Sequence, residues 1–331
     1  MDANGGGAGG GARPPPMSAL EILRETVRIL RAEPSPFMSA LAVLICPVSA
    51  FLLSGALAPS AATSSLASRF AHLATGSGLP PALTVLKLCH YFAAALISAA
   101  ACLPLLATVL LLARSSITYS VACAYAGKKA LRAEFFTLVG RIWRRLLSTF
   151  LWDCAAISAC LSLFVALLLI VCNALSIMGY PPEIIIYPAM LILLFFSMGY
   201  AHTIIVCNLA SVISVLEEVS GLRALLRSVN LIKGQTQAGL LIFLGSTIGM
   251  TFVQGLFEHR VKTLSYGDGS SRLWEGPLLV FMYSFVALID SMMSAVFYFS
   301  CRSSIIEEVD EDVNLLEEGK RNVCIEVMDI K

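Results

Sequence analysis

Two acidic side chains fall where lipid is expected, and they are the residues best placed to do chemistry. Asp290 lies near the midpoint of an apolar run over residues 277–301, and Asp153 lies inside another over 146–172. An acidic side chain at the centre of a membrane helix costs about 2.5 to 3.5 kcal/mol on insertion scales, so both should face the inside of a helix bundle. There they could line a path for an ion, a proton or a small polar solute. They could equally be protonated or hydrogen-bonded packing contacts between helices. His202 stands close to Tyr200 and Asn208 near the end of a third run, where a polar cluster with Asp153 is conceivable; a satisfied buried histidine is the plainer reading. Lys87 and His90 belong to a boundary, with the lysine snorkelling to water.

Other reaction centres are missing from the sequence. His72, His90, His202 and His259 are too dispersed for H-x-x-x-H or H-E-x-x-H, so no metal site is expected. The ten cysteines form no CxxC pair and are scattered through the apolar runs and their edges, as reduced thiols would be. A nucleophile elbow, a P-loop and a dinucleotide fingerprint are absent. We therefore expect no enzyme activity and no cofactor.

The elements that must hold these residues are membrane helices. The chain is 57% hydrophobic and 14% charged, where soluble domains carry about 25% charged residues. Six apolar runs, over residues 37–58, 91–113, 146–172, 184–207, 238–257 and 277–301, are each long enough to cross a bilayer. Basic residues collect before the first run, between the second and third, between the fourth and fifth, and after the sixth. By the positive-inside rule both termini are cytosolic and the spans form three hairpins. A net charge of +1, without a basic stripe, argues against a nucleic-acid partner. Residues 1–16 read as a disordered Gly/Pro-rich tail, residues 17–303 as the membrane domain, and residues 304–331 as an acidic cytosolic tail.

The most specific pattern is internal. GKKALRAEFFTLVG (127–140) and GLRALLRSVNLIKG (221–234) share their glycines and an Ala-Leu pair in register, and SALEILRETVRIL (18–30) shares the pair. Each reads as an amphipathic helix placed just before a span. The expected apolar faces are Leu20, Leu23, Val27 and Leu30; Leu131, Phe135, Leu138 and Ile142; and Leu222, Leu225, Leu226 and Val229. Arg24, Arg28, Lys128, Lys129, Arg132, Arg223, Arg227 and Lys233 are the candidate contacts to anionic lipid headgroups, each worth about 1 kcal/mol near the surface. The fold expected is an all-α, six-span integral membrane protein with three cytosolic-face amphipathic helices. One interfacial helix plus two spans recurs three times, in parallel, over about 17–113, 127–207 and 221–301.

The phrase GLRALLRSVNLIKGQ, leading into a span, resembles the polytopic membrane portion of some bacterial glycerophosphodiester phosphodiesterases. Most of the chain after residue 17 also resembles an uncharacterised family of plant six-span proteins, whose N-terminal region reads much like ALEILRETVRIL. The resemblance implies architecture and no activity, because the chemistry of those enzymes belongs to a separate barrel domain. It transfers no catalytic residue.

The stretch 307–318 is acidic and should stay solvated and largely disordered. Within it Glu311, Leu315 and Leu316 make an acidic-dileucine pattern that resembles a sorting signal for adaptor proteins. The functional expectation is a non-enzymatic component of endomembranes (endoplasmic reticulum, vacuolar or plasma membrane) that organises lipid or partner proteins. The alternative is a transporter or channel using Asp290 and Asp153. A polar cavity at mid-membrane would favour the latter, and a dry bundle the former.

Overall fold

Ser18 starts the first helix by closing a capping box: its backbone N–H donates to the Glu21 carboxylate at 2.7 Å, and Glu21 N–H donates to Ser18 Oγ. This helix, α1 (Ala19–Ala32), ends where Pro34 begins α2 (Pro34–Ala40). A π-helical stretch, Leu41–Ile45, then leads into α3 (Cys46–Ser54). Pro47 accounts for the widened turn, since its ring would clash with the carbonyl four residues earlier in a regular α-helix. The computed structural model describes residues 17–54, 60–76, 105–128, 132–179, 181–263 and 269–329, together with the isolated positions 87, 90 and 93. The remaining helices are α4 (Ser60–Gly76), α5 (Leu105–Tyr125), α6 (Arg132–Ile177), α7 (Pro182–Leu216), α8 (Leu222–Ile232), α9 (Thr236–Phe257) and α10 (Gly269–Asp329).

Among the described residues the chain is all-helical, and five segments are long and apolar enough to cross a membrane: Pro34–Leu53, Ile142–Ile177, Ile184–Leu216, Thr236–Arg260 and Trp274–Ile306. They correspond to the first and the third to sixth expected runs. The second run lies mostly outside the described residues.

Four expectations need correction. The link expected between the first two spans, residues 59–90, contains a helix, α4. The segment 127–140 is not a separate interfacial helix, because α6 continues unbroken from Arg132 into the span. Pro34 stops α1, and Gly234 turns the chain after α8 with φ +100°, whereas Gly140 keeps a helical backbone and interrupts nothing. The acidic stretch 307–318 is helical, within an α10 that reaches Asp329. Its Glu and Leu residues are good helix formers, and the stretch contains no proline. Lastly, Arg114 lies inside α5, which runs on to Tyr125, and not in the loop after a span ending at Ala113.

The core gathers one end of the bundle. Ile22 and Ile29 of α1, Phe37 of α2, Leu41 of the π stretch, Ile117 and Val121 of α5, Leu209 and Ile213 of α7, Ala224 and Ile232 of α8, and Leu288 to Tyr298 of α10 make one buried cluster. Glycine lets α9 come close: a Cβ at Gly239 would meet Ile205 at 3.1 Å and Phe297 at 3.2 Å, and one at Gly249 would meet Val286 at 3.2 Å. The α6–α7 hairpin stands at the edge of this core, zipped to itself by Phe164 stacked on Phe196 at 4.1 Å between ring centroids. Its outer faces expose Leu163, Ile170, Leu194 and Phe195, as lipid-facing helices do.

Candidate functional site

Inside the bundle, α5, α7 and α10 bring a small polar set together. Arg114 on α5 donates through Nη1 to Asn208 Oδ1 on α7 at 2.9 Å. Arg114, Thr118, Asn208, Ser211, Asp290, Ser291 and Ser294 line a cavity of about 10 Å³. A second, of about 20 Å³, lies on the other side of Asp290 between Asn208, Gly239, Phe243 and Phe297. A cavity of this measure holds about one water molecule, and a polar solute does not fit. Asp290 is 9% exposed and has no hydrogen-bond or ion-pair partner among the described residues.

Asp153 on α6 is equally buried, at 8% exposure, and its Oδ1 has no hydrogen-bond partner among the described residues. The Cys207 thiol and the Arg114 guanidinium are its polar and charged neighbours. The expected cluster around Asp153 therefore exists with different members. Asn208 belongs to it, while His202 is exposed on the outer side of α7 and takes no part. Lys87 is exposed. Arg114 is the residue that sequence reasoning missed. It is the one Lys, Arg, Asp or Glu between Lys87 and Lys128, which was the available signal that it lies within a helix and not in a loop.

At one end of the bundle, α8 acts as a clasp, and its sequence phrase is explained by what it touches. Gly221 has φ +62°, and its N–H donates to Thr149 Oγ1 on α6 at 3.0 Å. Ala224 and Ser228 are small because that face is buried against the bundle. Arg227 pairs with Glu217 at the end of α7, and Glu217 also accepts from the Tyr298 hydroxyl of α10 at 2.7 Å. Gln235 donates through Nε2 to Ser304 Oγ at 2.7 Å, tying the start of α9 to α10. Replacing Glu217 with alanine removes the acceptor of the Tyr298 O–H and the partner of Arg227, so we expect a loss of about 1 to 2 kcal/mol in a denaturant titration of the purified protein.

The same end carries most of the candidate headgroup contacts. Tyr125, at the end of α5, stacks near Phe299 at 4.6 Å; burial first, and the nearby Glu25 carboxylate second, push its phenol above the usual range. Arg24, Arg28, Lys128, Arg223, Arg227 and Lys233 are all exposed there. Arg28 approaches Glu25 at 3.5 Å, and Arg227 is the one engaged with Glu217. Arg132 opens α6, with its side chain outside the description, and Lys129 lies outside the described residues. Glu311, Leu315 and Leu316 lie on the α10 backbone, in helix; their side chains are likewise not described.

The expected apolar faces of α1 and α8 are only partly right. The bundle buries Ile22, Thr26 and Ile29 of α1, leaving Leu20 at 77% exposure, and it buries Ala224, Leu225, Ser228, Leu231 and Ile232 of α8, leaving Leu226 at 58%. Both helices are thus three-sided, with a packed edge, an outward apolar edge and a basic edge.

Among the described residues no group of three His, Cys, Asp or Glu side chains stands close enough to hold a metal ion. Compared with known proteins, residues 16–318 match the family described as Domain of unknown function (DUF8558). The chain belongs to this family. No curated protein and no solved structure matches it.

Proposed function

We propose that this is a multi-pass membrane protein without enzymatic activity that organises anionic lipid, and through it partner proteins, at the cytosolic face of an endomembrane. One observation carries the reading: α1 and α8 lie at the same end of the bundle with the same three-sided arrangement. At 100° per residue, going round either helix in one sense meets the packed edge, then the apolar edge (Leu20, Leu23, Val27; Leu222, Leu226, Val229), then the basic edge (Arg24, Arg28, Arg31; Arg223, Arg227). A helix held sideways by protein, with one free edge apolar and the next cationic, suits the boundary between acyl chains and anionic headgroups. The shared order also supports a parallel repeat of the first and third units, with both termini cytosolic. The resemblance to the membrane portion of the phosphodiesterases bears on this architecture alone. Glu311, Leu315 and Leu316 are the proposed adaptor contact. Water-sized cavities beside Asp290 favour this role over a solute path.

The test uses the full chain in nanodiscs of mixed anionic and zwitterionic phospholipid, with co-retained lipid measured after extraction. Arg24→Gln, Arg223→Gln and Lys233→Gln together remove three charges that have no ion pair among the described residues. At about 1 kcal/mol each, preference for the anionic lipid should fall on the order of 100-fold. An unchanged lipid ratio in the triple variant would end the proposal.

A further inference from the structure

The buried charges do not balance. Arg114 is the cation that both Asp153 and Asp290 have as a neighbour, so two carboxylates share one guanidinium. Each acid is about nine-tenths buried, on α6 and α10 respectively, within helices that read as membrane spans. An unpaired second negative charge in that setting is costly, and a single proton removes it.

The two acids differ in how they are solvated. Asp290 lines both small cavities, one of which it shares with Arg114, Asn208, Ser291 and Ser294, so a water can link its carboxylate to the guanidinium. Asp153 lines neither cavity, and its Oδ1 is buried without any donor. An ionised oxygen there would go unsolvated, whereas a carboxylic acid needs no second donor. From the elements packed around it, the groups that face Asp153 are Arg114 on α5, Cys207 on α7 and Cys154 on its own helix. Around Asp290, Arg114 on α5 is the charged group; α7 offers Asn208 and Ser211, and α9 offers Gly239, Ile242 and Phe243. Among the described residues neither lining holds a second cation.

We infer that the bundle contains a proton-binding site in which Asp153 carries the proton, beside an Arg114 that Asp290 faces across a water-sized cavity. The site is distinct from the lipid-facing helices and does not depend on their role.

Infrared spectroscopy of the full-length protein in detergent at neutral pH reads it directly, because exposed carboxyls are ionised there and give no carboxylic-acid carbonyl band. The wild type should show one such band. Asp153→Asn, which is nearly isosteric, should abolish it, and Asp290→Asn should leave it. Arg114→Lys, which keeps the cation, should also keep a single band. A wild type without the band overturns the inference. So does a band that survives Asp153→Asn, or one lost in Asp290→Asn.

Discussion

Replacing Arg114 with leucine is expected to lower the stability of the protein more than any other single change, by about 3 to 5 kcal/mol. The side chain is only half-buried, but its removal acts on what remains. Asn208 loses its donor at 2.9 Å, and two buried carboxyls lose the cation they share. Leucine fills similar space, so the loss is electrostatic and not a cavity effect. Thermal or denaturant unfolding in detergent, followed by helical circular dichroism, measures it. Adding Asp290→Asn to Arg114→Leu should recover a substantial part, because it removes the acid that faces Arg114 across the shared cavity. If Arg114→Leu unfolds with the wild type, the polar set is not a coupled unit.

The second large effect is expected at Gly221. A Gly221→Val variant must adopt φ +62° and ψ −135°, a region that side chains avoid at about 1 to 3 kcal/mol. Its Cβ would also stand 3.1 Å from both Ser148 Oγ and Trp152 Cδ1. If the backbone rotates to relieve the strain, the buried N–H loses Thr149, at about 1 to 3 kcal/mol. Either route loosens the clasp between α6, α7 and α8. Limited proteolysis should cut between Glu217 and Gly221 several-fold faster than in the wild type. Gly140→Val is the internal control, since Gly140 sits in regular helix and among the described residues nothing lies within 4 Å of its Cβ. It should cost almost nothing, and equal losses at the two positions would contradict the account.

These contrasts show where reading the chain reached its limit. Gly127, Gly140, Gly221 and Gly234 look alike as motif positions, yet Gly140 is helical and the other three take positive φ. A glycine permits several conformations, and only its neighbours select one. Thr149 lies 72 residues from Gly221, too far along the chain for any local rule to pair them. The faces of α1 and α8 show the same limit. Periodicity identified each helix as amphipathic, but it could not divide the apolar side into an edge for protein and an edge for lipid. Both environments accept leucine equally, so hydropathy carries no record of the difference.

What the amino-acid sequence determined unaided is the all-α character and the helices long and apolar enough to cross a membrane, because both follow from composition and from the length of the uncharged runs. The tertiary structure decided which polar residues meet. It moved Arg114 from a supposed loop into the bundle, left His202 outside, set Asp290 beside two water-sized spaces and left Asp153 dry. Those outcomes rest on how helices rotate and pack against partners distant in sequence, a choice made by shape and charge across the bundle and not by any neighbouring residue.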